Sequence, residues 1–320
     1  MSTRPLGVGL IGLGTVGSAV ARAFSERGRR IDAAGGRTIR LLAAAVRDPK
    51  KARDAASPTV TTDPFAILDD PEIDVVIEVI GGHRPAYDLL LAAFERGKDV
   101  VTANKELLAK EWDPLHETAR LAGRALRYEA AVAAAVPVIR GIRELGAIRP
   151  RLLRGLLNGT TTYICSQLDQ DVPFAAALAE AQRLGYAEAD PAADIDGFDA
   201  AYKLSILVSL LEGRHFHPDQ VRRTSLSTVT AADVDAARER GTRLRYLAVA
   251  DFGEKAVKCR VGPEAVAADS LEGRATGPTN VITLDSDLAG TLVWSGPGAG
   301  GDATASAILA DVIAIARSRK

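Results

Sequence analysis

The chain has 320 residues, 47% of them hydrophobic and 25% charged, with a formal net charge of −1. That length exceeds one ordinary hydrophobic core and predicts two domains, and the proportions are those of a soluble globular protein. The charge balance excludes a general pull toward nucleic acid or an anionic membrane, so neither is expected as a partner and any anion site must be local. Two cysteines, Cys165 and Cys259, are too few for a disulfide framework and lack metal-ligand spacing. The opening MSTRPL has no basic, apolar and cleavable pattern, and the longest apolar run, 204–211, falls far short of a membrane span. A cytoplasmic location is expected.

Along the chain, 8–11 reads as a strand and 16–27 as a helix. A second strand follows at 39–46, a short helix at 50–56, a third strand at 74–80, a helix opening on proline at 85–96, and a fourth strand around 100–101. Strands alternating with helices predict a doubly wound parallel sheet of Rossmann type. Beyond about Glu129 the texture changes. There 152–157 reads as a strand and 172–184 and 200–211 as helices, followed by strands at 244–249, 256–261, 280–284 and 290–294 separated by Gly, Pro and Asp turns. A strong last helix covers 303–316. The expected fold is α/β: a Rossmann-type domain over 1–135, to which a helix at 302–320 returns, and an α+β domain with a mixed sheet over 136–301.

GLGTVG sits between the first strand and the first helix. In that context it reads as a dinucleotide-binding turn, the alternative being a glycine turn without a ligand. Gly12 permits the tight turn, Gly14 lets backbone approach a pyrophosphate, and Gly17 lets helix pack on strand, while Thr15 and Val16 open the helix whose N-terminus faces the phosphates. The second strand ends Ala45-Val46-Arg47-Asp48. An acid there suits a ribose 2′-hydroxyl and an arginine a 2′-phosphate, so Arg47 predicts NADP over NAD, while Asp48 keeps NAD open.

VVTANK places Lys105 just past the carboxyl end of a strand, where ligands sit in open α/β sheets. Only nine of the 40 basic residues are lysine, and a lysine can be tuned for proton transfer as an arginine cannot. Later, GYAEADP is followed by Asp194, Asp196, Asp199 and Lys203. Asp199 and Lys203 are four apart and share one helix face, so they could act together; the competing reading is a surface ion pair. Clustered carboxylates around one lysine are costly to assemble unless a cationic group binds among them. His215 and His217 read as loop residues rather than metal ligands, and Trp112 and Trp294 as packing residues.

Together, GLGTVG, VVTANK, YEAAV with its later proline, LNGTT, GYAEADPAADIDGFDAAYK and GPGAGGDATASA resemble homoserine dehydrogenase over nearly the whole chain. That family reduces L-aspartate 4-semialdehyde to L-homoserine with NAD(P)H, on the route to threonine and methionine. The resemblance implies that Lys105, Asp199 and Lys203 are catalytic. Lys203 oriented by Asp199 is the favoured proton donor, with Lys105 beside the cofactor aiding binding or proton exchange; the reverse assignment stays open. Gly159, Thr160, Tyr186, Glu188 and Asp194 would hold the substrate. Gly296, Gly298, Gly300, Gly301 and Thr304 match a second glycine-rich segment near the cofactor, and the family pairs as a homodimer through its second domain. Two other readings are a dehydrogenase for another amino-acid semialdehyde and an NAD(P)-binding sensor without catalysis.

The chain departs from the family pattern in three places. The segment 129–137 resembles a loop that binds a monovalent cation, Na+ or K+, through the Glu129 side chain and the carbonyls of Val132, Ala134 and Val136, yet Ala134 and Ala135 stand where relatives carry glycine. Alanine keeps the carbonyl but is strained where φ is positive. Thr162 replaces a common asparagine after NGTT. No further α/β module follows the last helix, so a short form without a C-terminal regulatory domain is expected.

Overall fold

The structure is a computed structural model and describes residues 4–50 and 58–319. It divides into two compact units, Met1–Ala135 with Gly300–Lys320, and Val136–Ala299.

The first unit runs β1 (Leu6–Ile11), α1 (Thr15–Gly35), β2 (Ile39–Ala45), β3 (Thr59–Thr61), α2 (Pro64–Asp69), β4 (Val75–Glu78), α3 (Ala86–Glu95), β5 (Asp99–Thr102), α4 (Lys105–Lys110), α5 (Trp112–Leu121) and β6 (Leu126–Arg127). Its six strands are all parallel, in the order β3-β2-β1-β4-β5-β6. Every residue of β1, β4 and β5 is buried, as expected of strands covered on both faces. The order reverses between β1 and β4, and ligands bind at the carboxyl edge of such a reversal. The third strand stops at Glu78, two residues earlier than expected, because the Glu78 carboxylate takes the Ile80 and Gly81 amides that a longer strand would pair. The helix expected at 50–56 lies, apart from Lys50, outside the described residues.

The second unit contains α6 (Val138–Glu144), β7 (Pro150–Leu156), α7 (Gly159–Leu168), α8 (Phe174–Arg183), α9 (Ala192–Ile195), α10 (Phe198–Glu212), β8 (Arg222–Arg223), α11 (Ala231–Glu239), β9 (Thr242–Phe252), β10 (Val257–Ala267), α12 (Leu271–Arg274), β11 (Thr279–Ser286) and β12 (Gly290–Pro297). Its sheet, ordered β12-β11-β7-β9-β10-β8, is antiparallel except for the short β10–β8 pairing, hence mixed. The long α10 runs between Gly197 and Gly213, both at positive φ, and buries Leu204, Ile206, Leu207 and Val208. Trp294 packs on α6, where Gly141 leaves it room: a Cβ there would lie 2.8 Å from the indole nitrogen.

The last helix, α13 (Gly301–Ser318), belongs to the first unit. It lies along α1 and adds Ile308, Val312 and Ile315 to the core built on Leu6, Val8 and Leu10. Arg319, just beyond it, pairs with Asp99 at 2.7 Å and Asp74 at 3.2 Å, tying its end to the amino edges of β4 and β5. Both cysteines are buried free thiols, and no helix among the described residues is long and apolar enough to cross a membrane.

Candidate active site

The fingerprint glycines occupy the carboxyl end of β1 and the start of α1. Gly12 has φ +105°, a conformation closed to other residues without strain. At Gly17 an added Cβ would lie 2.1 Å from the Gly12 carbonyl oxygen, so only glycine lets helix and turn approach this closely. At Gly14 a Cβ would meet nothing within 4 Å, so the space over this residue is open to a ligand. No side chain caps the start of α1, which directs its first amides and its positive end into that space. A cleft of about 450 Å³ opens there, lined by Gly12, Gly14, Arg47, Asp48, Ile80 and Gly81 among others. The turn, the uncapped helix and the open cradle fit a dinucleotide. A larger groove of about 880 Å³ beside α1, lined by Phe24, Arg27, Arg30 and Arg40, holds none of the expected site residues.

The second glycine-rich segment divides between the units. Gly300, at φ +111°, and Gly301 open α13; a Cβ on Gly301 would lie 3.2 Å from the Thr15 carbonyl oxygen, so the two helix starts adjoin. Thr304 turns its hydroxyl back onto the Gly300 carbonyl at 2.8 Å. Gly298 instead lies in the second unit against the fully buried Asn280, leaving no room for a side chain.

Lys105 is the first residue of α4. Its position is set by Asn104, whose side-chain oxygen accepts the Leu107 amide at 3.2 Å as the helix cap, and whose amide donates to the Gly82 carbonyl at 2.7 Å.

In the second unit, Asp199 and Lys203 face one another on α10 at 2.7 Å, and both residues are buried (5% and 9% exposed), so the surface-pair reading does not hold. The Lys203 Nζ also donates to the Leu157 carbonyl at 2.7 Å. Asn158 caps α7 through its side-chain oxygen, and its amide donates to Asp199 Oδ2 at 2.9 Å and Asp194 Oδ1 at 2.7 Å. The Thr160 hydroxyl lies 2.9 Å from Asp194 Oδ2 and 2.6 Å from the Tyr186 carbonyl. Burial, and then the neighbouring Asp199 charge, push the Asp194 carboxyl above its ordinary value against the pull of Asn158, Thr160 and Lys203.

Gly159 is the first residue of α7, where a Cβ would press on Pro278 at 3.0 Å. The ring of Tyr186 packs on Tyr163 with centroids 5.2 Å apart. Glu188 is exposed on the connection beyond it and, among the described residues, is not hydrogen-bonded through its carboxylate to this cluster. Asn158 joins the cluster as a residue the sequence reading does not include, although an asparagine before Gly-Thr-Thr is a helix-cap signal and marks this position. Thr162 is fully buried and spends its hydroxyl on the Asn158 carbonyl at 2.9 Å.

In the segment 129–136, Glu129 is buried in a short 3-10 turn, and its backbone amide donates to Asp311 at 2.8 Å. Ala133 and Ala134 have φ of +55° and +43°. Positive φ thus falls on 133 and 134, whereas the sequence pointed to 134 and 135. The Val136 carbonyl accepts the Val138 amide at 2.8 Å. No group of three His, Cys, Asp or Glu side chains that could hold a metal ion occurs among the described residues.

A family model described as the NAD-binding domain of homoserine dehydrogenase matches residues 12–129, and a second, described as homoserine dehydrogenase, matches 137–313. The chain belongs to the homoserine dehydrogenase family. It is therefore an NAD(P)-dependent oxidoreductase of the class acting on a CH–OH group. Homoserine dehydrogenase from Pseudomonas aeruginosa is 40% identical over 317 residues, covering 98% of this chain and 73% of the relative. That from Corynebacterium glutamicum is 38% identical over 322 residues, covering 98% and 72%. The crystal structure of a homoserine dehydrogenase from Thiobacillus denitrificans superposes with a TM-score of 0.95 at 40% identity, covering 99% of this chain and 74% of that one. A hyperthermophilic archaeal homoserine dehydrogenase in complex with NADPH gives a TM-score of 0.82 at 25% identity, covering 97% of each chain.

Proposed function

We propose that the chain interconverts L-aspartate 4-semialdehyde and L-homoserine, with NADP preferred over NAD. The observation that carries this reading is the buried Asp199–Lys203 pair, linked through Asn158 to Asp194. A bound nicotinamide supplies the hydride taken up by the aldehyde carbon. Lys203, anchored by Asp199 and the Leu157 carbonyl, stabilises the alkoxide that forms and delivers its proton. Asp199, fixed in turn by Asn158, sets the direction of that ammonium. Asp194, with Gly159, Thr160, Tyr186 and Glu188, binds the amino end of the substrate, and Lys105 aids binding or proton exchange. The fingerprint glycines with Thr15 and Val16, and Gly298, Gly300, Gly301 and Thr304, hold the cofactor.

Arg47 on the wall of the cleft supports the choice of NADP, because a guanidinium matches a 2′-phosphate. A monovalent cation, Na+ or K+, on the 129–136 segment belongs to this reading; the buried Glu129 and the turned backbone at Ala133 and Ala134 support it. A cytoplasmic location and a homodimer formed through 136–301, the substrate-binding domain, belong to the same reading.

The test is NADPH oxidation by the purified chain with L-aspartate 4-semialdehyde beside shorter and longer aldehydes. Selective turnover of the semialdehyde is expected. Faster turnover of another amino-acid semialdehyde would move the substrate, and no turnover with any aldehyde would leave a nucleotide-binding sensor. Unchanged activity after exchange of sodium and potassium for choline would remove the cation.

A further inference from the structure

Glu78 is fully buried at the carboxyl end of β4, directly beside the reversal of strand order, and nothing above gives it a role in the reaction. A buried carboxylate is costly unless hydrogen-bonded, and a neutral side chain would cap a turn at less cost. Its partners lie on two different loops. Oε1 accepts the amides of Ile80 at 2.8 Å and Gly81 at 3.1 Å, in the loop that lines the cofactor cleft. Oε2 accepts the hydroxyl of Thr102 at 2.6 Å, its neighbour across the β4–β5 pairing. That hydroxyl accepts the Asn104 amide at 3.0 Å, and the Asn104 side chain returns to the first loop through the Gly82 carbonyl at 2.7 Å. The hydrogen bonds therefore close a ring through both loops. Gly81 and Gly82 turn at φ +70° and +72°, and a Cβ on either would meet nothing within 4 Å, so sterics alone do not fix this stretch. Asn104 is also the cap from which α4 starts at Lys105.

We propose that Glu78 is a positioning residue for hydride transfer: it clasps the loop over the cofactor cleft to the loop that delivers Lys105, so that cleft shape and lysine placement are set together. This rests on the dehydrogenase reading above. Burial raises the Glu78 carboxyl above its ordinary range, and its hydrogen bonds to Thr102, Ile80 and Gly81, with the Asn104 side chain beside them, oppose that rise.

Glu78→Gln keeps the shape but places an NH2 donor where the carboxylate accepted, which leaves the buried Thr102 hydroxyl hydrogen without its acceptor or, with the amide turned over, sets the NH2 against the Ile80 and Gly81 amides. Thr102→Val removes the link from β5 to the carboxylate, and Thr102→Ser keeps it. NADPH affinity is read by fluorescence titration without substrate, kcat and KM by turnover, and folding by the thermal midpoint. Glu78→Gln is expected to weaken NADPH binding and to lower kcat by about tenfold or more, as small displacements of reacting groups do. Thr102→Val is expected to lower kcat similarly with NADPH affinity within about twofold of wild type, and Thr102→Ser to restore kcat. Wild-type affinity and kcat in folded Glu78→Gln would overturn the proposal. So would Thr102→Ser and Thr102→Val behaving alike; the threonine pair keeps the test open if Glu78→Gln does not fold. A wild-type chain that binds NADPH but turns over no aldehyde would defeat the dehydrogenase reading instead, a result the titration separates from failure of the clasp.

Discussion

Lys203 donates to Asp199 across 2.7 Å within α10, with the two side chains only 11% and 6% exposed. A pair in that setting is sensitive to losing one member, because the remaining charge stays buried without its counterion. Asp199→Ala is expected to lower stability by about 3 kcal/mol or more, and Asp199→Ala with Lys203→Met to recover most of it. Neither should recover turnover, with kcat falling on the order of a hundredfold or more. Denaturant unfolding and steady-state kinetics on the two variants check both halves; a double variant as unstable as the single would contradict the account.

Asp194 carries a prediction in pH. Its folded-state carboxyl is raised by burial and by Asp199, so the folded protein holds that proton more tightly than the unfolded chain does. The resulting stabilisation is complete below the unfolded value and is lost as pH rises through the folded one. Asp194→Asn, which accepts no charge, should therefore gain in thermal midpoint relative to wild type near neutrality, and the gain should vanish in acid. Its KM for the aminated substrate should rise at the same time, since the anion facing the amino group is gone. A stability difference that is constant across pH would rule this out.

Arg47 lies exposed on the cleft wall, where a ligand phosphate would give it a strong partner. Arg47→Ala is expected to reduce kcat/KM with NADPH by on the order of ten- to a hundredfold and to leave NADH nearly unchanged, the range of a hydrogen bond to a charged group. Ratios of kcat/KM for the two cofactors in both proteins decide it, and an unaltered ratio would contradict the role.

Ala133 and Ala134 hold φ of +55° and +43°, where an L-residue with a Cβ is strained by roughly 1–2 kcal/mol. Glycine removes that strain while adding some freedom to the unfolded chain, so Ala134→Gly should stabilise by about 0.5–1 kcal/mol. Urea unfolding measures it. A loss of stability would mean the neighbouring backbone has already absorbed the strain.

Several of these features were legible in the sequence and others could not be. Strand, glycine turn and helix at Gly12, Gly14 and Gly17 follow from local pattern, because each glycine answers a local backbone need. The spacing of Asp199 and Lys203 gives a shared helix face but says nothing of the medium around it. Their burial depends on α6, α9, β9 and β10 packing against α10. Asn158 reaches Asp199 across 41 positions of chain, a relationship no periodicity encodes. The helix α7 is not legible in GTTTYICSQL, which is rich in β-branched residues of low helix propensity; burial of seven of its ten residues overrides that preference. Glu78 was hidden inside an apolar run read simply as strand, since one carboxylate among valines and isoleucines has no pattern of its own.

The place of α13 bears on how the chain is made. The core around Leu6, Val8 and Leu10 needs Ile308, Val312 and Ile315, which leave the ribosome only after the whole of 136–299 has been synthesised. The inserted unit is contiguous and can fold while translation continues, whereas the nucleotide-binding unit must wait with an apolar flank of α1 open until the last helix arrives. β1 and α1 are thus translated well before the core they belong to can be completed.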